Sequence, residues 1–238
     1  MRIYIVRHAE PDYERDSLTP KGFEEAAALA KFLKDEGIEK IYCSPLGRAQ
    51  RTAEPTAKAL NLPIVTEAWL REFDAHVEHA GNKCAWDWFP GEWTEINDFY
   101  SLDSWMSGKG FAASPDIKDF FEERCKGLDA ILAENGYERE GRHYKVTNEN
   151  HHRIAFFCHF GVECVLLSHL LGIPPMPLWH GTVALPSGVT ILNSEERVKG
   201  IASFRMEQFG ALPHLYKEKA EPSFAARFCE CFSDSTRH

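Results

Sequence analysis

No apolar run in this sequence approaches the length that crosses a bilayer. The first hydrophobic stretch is also too short, and too soon followed by charge and proline, to read as a secretory leader. The seven cysteines, Cys43, Cys84, Cys125, Cys158, Cys164, Cys229 and Cys231, are odd in number and lack a disulfide-framework spacing, which fits reduced thiols in a cytoplasm. Positive charge is in deficit. A net charge of −9 and a pI near 5.7 argue against nucleic acid or an anionic membrane surface as the main partner. Internal repeats and low-complexity segments are missing too. The histidine pairs His76/His79 and His151/His152 have no accompanying ligands at metal-site spacing, and Cys229-x-Cys231 is only two cysteines, so no metal is expected.

What is present is ordinary soluble-domain material: 238 residues, 44% hydrophobic and 26% charged. The length allows one large domain with a substantial core. Because the chain is acidic, any anionic substrate must be held by positive charge concentrated locally, which makes clustered arginines informative.

The chain opens on a short apolar run, Ile3-Tyr4-Ile5-Val6, read as a buried strand, with Arg7-His8 at its carboxyl end and Pro11 barring a helix. Thr19 as N-cap and Pro20 at the first helical position predict a helix to about Glu36, with Phe23, Ala26, Ala27, Ala30 and Leu33 inward. Ile38 to Cys43 reads as a second strand, giving a β-α-β unit. Ser44 and Pro45 then suit the start of another helix, whose first turn is an anion site and carries Arg48, with Arg51 a turn later.

A short strand is expected at 63–65, and regular alternation stops after Asp74. From about His76 to Ser114 aromatics and turn formers dominate, including Trp86, Trp88, Trp93 and Trp105, four of the six tryptophans. This insertion is either a lid over the site or a satellite cluster anchoring a long excursion. A helix follows over about 115–135, then a polar surface loop over 137–150 and a second apolar strand, Arg153 to Cys158. His159-Phe160-Gly161 and a helix from Val162 to Leu171 repeat the opening layout. Segments 182–185, 189–193 and 201–209 read as closing strands, partly antiparallel. Residues 211–238 form a tail, partly helical, with Phe224, Phe228 and Phe232 at helical spacing.

Three strand ends therefore offer Arg7 with His8, Arg48 with a helix N-terminus, and His159 with another. A lone histidine after a strand is more often structural. If the strands are parallel neighbours, however, these groups meet in the crevice where α/β sheets bind ligands. Arginines match phosphate oxygens bidentately, and a histidine among them is a nucleophile in a cationic pocket that needs no metal. Cys43 with Arg48 is not a cysteine-phosphatase loop, because that loop needs one more residue than the four found between them.

Arg7-His8-Ala9-Glu10, Leu18-Thr19-Pro20-Lys21-Gly22, Ser44 through Ala53 and His159-Phe160-Gly161 together resemble the motifs of the histidine phosphatase superfamily, the phosphoglycerate-mutase-like proteins. The resemblance covers residues 1–73 and 115–209. It implies a three-layer α/β/α sandwich with a mostly parallel central sheet, residues 1–210 forming one catalytic domain with the insertion at about 76–114 as an aromatic-rich lid region. It implies His8 as the residue that becomes phosphohistidine, and Arg7, Arg48 and His159 as phosphate-binding residues, His159 also counting among the catalytic ones. Glu72 becomes the general acid, with Asp12 the second candidate. Ala9 replaces the commonest glycine. Phe160 stands where the acid-phosphatase branch has aspartate, which points to the branch of mutases and cytoplasmic phosphatases.

The expected activity is metal-independent hydrolysis of a small phosphorylated metabolite, without cofactor, nucleic acid or membrane, by a monomer or homodimer. The alternatives are a mutase-type phosphotransferase and a non-catalytic phospholigand-binding or regulatory protein.

Overall fold

The architecture comes from a computed structural model, which describes residues 1–79, 83–114, 116–223, 225 and 231–233. Its centre is β1 (Arg2–Arg7), whose alternation sends Ile3 and Ile5 to one face and Tyr4 and Val6 to the other, all four fully buried. A strand apolar on both faces needs cover on both, so the sheet is the middle of three layers.

Eight strands form that sheet in the order β5-β4-β8-β1-β9-β10-β7-β6. Here β4 is Lys40–Cys43, β5 Ile64–Thr66, β8 Arg153–Cys158, β9 Val189–Val198 and β10 Ile201–Ala211. The remaining pair is β6 (Tyr137–Glu140) and β7 (His143–Val146). Strands β5, β4, β8 and β1 are mutually parallel, and all the strands except β9 and β7 run in one direction. A two-residue ribbon, β2 (Pro11–Asp12) with β3 (Ser17–Leu18), stands apart from the sheet.

One face is covered by α1 (Pro20–Leu33) and α2 (Gly47–Leu60), where Leu29, Leu33, Ala49 and Ala53 pack on Tyr4, Val6, Ile41 and Phe157. The buried stripe of α1 follows Gly22, Ala26, Leu29 and Leu33. Phe23 is 47% exposed and Ala27 faces outward, against the expected stripe, because Gly22 abuts the Glu10 backbone and sets the rotation of the helix. The other face is covered by α4 (Ile117–Glu134) and α5 (Phe160–Leu171). Almost every residue of α5 is buried, and Gly172 ends it in the left-handed conformation.

The insertion contributes to this second core. Trp88, Phe99 and Phe111 pack with ring centroids 5.3–5.4 Å apart, and Trp105 meets Trp179 at 5.9 Å. Its backbone is short turns, with one four-residue helix, α3 (Pro90–Trp93). Trp179 belongs to α6 (Pro175–Gly181).

Two segments differ from their expected form. The stretch expected as a surface loop is the β6–β7 hairpin, turned at Gly141 with positive φ, with Tyr137 and Tyr144 inward; β7 adds it to the sheet edge at β10. Residues 182–185, expected as a strand, are irregular, and the Ala184 carbonyl instead accepts from Arg7 Nη1 at 2.6 Å. After β10, α7 (Pro213–Glu218) packs Leu215 against Ala28 of α1. Phe224, Phe228 and Cys229 lie outside the described residues.

Candidate active site

The site begins with register. Arg7 pairs with Cys158, and Cys43 with Phe157, so the parallel neighbours β1, β8 and β4 end side by side. Each ladder runs one residue further: His8 N–H donates to the Cys158 carbonyl at 3.0 Å, and Ser44 N–H to the Phe157 carbonyl at 2.9 Å. His8, His159 and Ser44 are thus adjacent by construction.

His8 is almost completely buried, and its ring centroid lies 5.1 Å from that of His159. Its Nδ1 is 2.9 Å from the Ala9 carbonyl, which can only accept, so Nδ1 carries the proton and Nε2 the lone pair. Burial first, and the Arg7 charge second, hold its pKa well below the ordinary histidine value, so the ring is neutral. Ala9 N–H donates to Thr52 Oγ1 at 2.9 Å, tying this loop to α2.

Arg7 is buried beneath the site, and its guanidinium lies 5.5 Å from the centre of the Phe160 ring. Arg48 extends from the first turn of α2, and its Nη1 donates to Asp16 Oδ1 at 2.8 Å. In both arginines Nε is buried without a partner among the described residues. Buried donors left this way cost free energy unless something else accepts from them.

Ser44 does not cap α2. The N-cap position is Leu46, and Ser44 Oγ instead lies 2.8 Å from His159 Nε2 while accepting from Leu46 N–H at 3.2 Å. The hydroxyl oxygen keeps a second lone pair, so the contact accommodates either tautomer of His159, whose Nδ1 is buried without a partner among the described residues. Burial, then the charges of His8 and Arg48, hold the His159 pKa well below its ordinary value. The expected anion site at the start of α2 is also filled: Asp16 Oδ2 accepts from Gly47 N–H at 2.6 Å.

Glu72, half-buried, reaches the start of α5. Its Oε1 accepts from Phe73 N–H at 2.7 Å and Val162 N–H at 3.0 Å. Burial raises its pKa above the ordinary carboxylate value, against the pull of these donors and of Arg7. A Cβ on Gly161 would lie 2.6 Å from that oxygen and 2.7 Å from Trp86 Cδ1, so glycine is what lets the carboxylate and the indole share this corner. Trp86 is held by its N–H on the Phe73 carbonyl at 2.8 Å.

Arg7, His8, Arg48, His159 and Glu72 are therefore gathered around the ends of three strands. Asp12 is not among them: it lies in the β2–β3 ribbon and pairs with Arg15 at 2.9 Å. Arg51 is on the surface of α2, paired with Glu54. His76 is paired with Glu78, and His79 lies 2.8 Å from the Cys84 carbonyl. Sequence reasoning missed Asp16, Ser44 and Trp86 as site residues. Also missed was Glu163, fully buried on α5, which accepts from Thr190 Oγ1 and whose pKa burial pushes up to about 7. A serine directly after β4 was the one visible signal, and its fit as an N-cap concealed it.

The model of the histidine phosphatase superfamily (branch 1) matches residues 3–84. The adenosylcobalamin/alpha-ribazole phosphatase of Escherichia coli K12 is 27% identical over 200 residues, covering 76% of this chain and 84% of its own. A probable phosphoglycerate mutase of Escherichia coli O1:K1 is 36% identical over 91 residues, a match that spans 34% of this chain and 42% of that protein. In fold, phosphoserine phosphatase from Entamoeba histolytica, solved with phosphoserine, superposes with a TM-score of 0.59 at 18% identity, covering 90% of this chain and 98% of that one. With Arg7-His8 inside the matched span, residues 3–84 of this protein are similar to the histidine phosphatase superfamily (branch 1), and its fold resembles that of the phosphoserine phosphatase over nearly the whole chain.

Proposed function

We propose that the protein hydrolyses phosphomonoesters through a phosphohistidine on His8. One observation carries this reading: two buried, neutral histidines stand 5.1 Å apart beside two arginines whose buried Nε groups have no partner among the described residues. Buried cationic donors grouped around a neutral imidazole suit the oxygens and the phosphorus of a phosphoryl group.

In the proposed sequence, Arg7, Arg48 and His159 hold the phosphoryl oxygens. The lone pair of His8 Nε2 attacks phosphorus, the N–P bond forms, and the ester P–O bond breaks. Glu72, in the acid form that burial favours, gives its proton to the departing oxygen. As carboxylate it then takes a proton from water, whose oxygen attacks phosphorus. The P–N bond breaks, releasing inorganic phosphate and neutral His8.

The names of the relatives, phosphatases and a probable mutase, support a small phosphorylated substrate for this chain too. The mutase match is confined to about a third of the chain, which favours hydrolysis over transfer. Glu72 against the start of α5 favours turnover over mere binding. No helix among the described residues is long and apolar enough to cross a membrane. The test is turnover of p-nitrophenyl phosphate by wild type and His8→Ala. The expected loss is at least about 10⁴-fold, and wild-type rates in the variant would overturn the reading.

A further inference from the structure

We infer that Asp16 is a positioning residue that aims Arg48 at the phosphoryl group, an inference that rests on Arg48 being a phosphate ligand. Asp16 lies between β2–β3 and α2 in the left-handed conformation, with φ of 45°. That conformation is strained for a non-glycine residue and persists only where the surroundings hold it. What holds it here is the start of α2: Oδ2 accepts from Gly47 N–H at 2.6 Å, and Oδ1 from Arg48 N–H at 3.5 Å and Arg48 Nη1 at 2.8 Å. A Cβ on residue 47 would lie 2.1 Å from the Asp16 carbonyl oxygen, so only glycine permits this approach.

The carboxylate thereby occupies the helix N-terminus that would otherwise attract a phosphate. It binds one corner of the guanidinium and leaves the rest, including the buried Nε, for another acceptor. Guanidinium donors form a rigid fork, so fixing Nη1 fixes the direction of the remaining edge. Tyr13 supports the same group, with Arg48 Cζ 5.4 Å from its ring centre. The Arg48 charge lowers the pKa of both His8 and His159, so the guanidinium lies near the histidine pair. Burial raises the Asp16 pKa, but the donors of Gly47 and Arg48 outweigh it and hold the group below the ordinary carboxylate value, ionised at neutral pH.

The alternative is that Asp16 merely competes with phosphate for Arg48, and the two readings predict opposite signs. The experiment measures inorganic phosphate affinity by calorimetry, and KM and kcat for p-nitrophenyl phosphate, in wild type, Asp16→Ala and Asp16→Asn, with thermal melting beside them. Positioning predicts that Asp16→Ala weakens phosphate binding and raises KM about tenfold or more, with a smaller change in kcat. Asp16→Asn, which keeps an oxygen for Gly47 N–H, falls between. Equal or tighter phosphate binding in either folded variant overturns the inference. Binding is measured apart from turnover: absent wild-type turnover with the expected order of phosphate affinities would sink the hydrolase reading alone, and intact turnover with unchanged affinities would sink Asp16 alone.

Discussion

Ser44 Oγ and His159 Nε2 lie 2.8 Å apart at the ends of neighbouring parallel strands, and this contact orients the imidazole beside His8. The hydroxyl oxygen also accepts from Leu46 N–H at 3.2 Å, which holds it in place. Ser44→Ala removes the contact and frees the ring to turn. The expected result is a drop of about tenfold in kcat/KM, with His159 still buried and the melting temperature nearly unchanged. Steady-state kinetics and thermal melting check it.

In the proposed mechanism Glu72 has two tasks with opposite protonation requirements, and its raised pKa suits the first. Activity should fall at high pH as Glu72 loses its proton, and at low pH as His8 gains one below its depressed pKa. Glu72→Gln should abolish the alkaline limb. Its loss in kcat/KM, which reports formation of the phosphohistidine, should be about 10²–10⁴-fold on alkyl phosphates and markedly smaller on p-nitrophenyl phosphate, whose leaving group departs without a proton. Equal losses on both substrates would remove Glu72 as the acid.

Glu163 makes a prediction about stability. Its folded pKa of about 7 lies above that of an unfolded carboxyl, so the folded chain binds more protons between about 4.5 and 7. The sign follows: stability from this group is complete below about pH 4.5 and is lost as pH rises through 7. Glu163→Gln keeps an acceptor for Thr190 and cannot ionise. It should therefore match wild type near pH 5 and be more stable near pH 8, by roughly 2–3 kcal/mol. Chemical denaturation at the two pH values measures this.

His180 and His214 act in the other direction. Burial lowers both to about 4, so the unfolded chain binds the extra protons between about 6.5 and 4, and stability falls as pH drops through that window. His214 Nε2 lies 2.9 Å from Ser187 Oγ, so His214→Gln, a neutral replacement, should flatten the acid side of the stability profile. Melting curves from pH 7 to 4 would reveal it, and an unchanged acid slope would contradict it.

Much of the site was legible because it is built on strand ends. Arg7-His8 and His159 follow short apolar runs that could only be buried strands, and parallel pairing in matched register brings their ends together. The insertion's aromatics announced burial, and they lie in the same core as α5. Glu72 was reachable only through family resemblance, since its meeting with Val162 joins residues 90 apart in sequence. Asp16 carried no signal, because its place depends on how the β2–β3 ribbon folds onto Gly47. The 137–146 hairpin was missed since its alternation is diluted by charge, and residues 182–185 were misread because β-prone composition says nothing of a carbonyl turned to an arginine.

The covalent step is the centre of this account. The most direct measurement is rapid quenching of Glu72→Gln with p-nitrophenyl phosphate, followed by mass spectrometry of the peptide containing His8 under conditions that preserve phosphohistidine. The account predicts a phosphoryl adduct on His8 that accumulates in the variant and is absent from His8→Ala. Turnover with no adduct on His8, or an adduct on another residue, would contradict it.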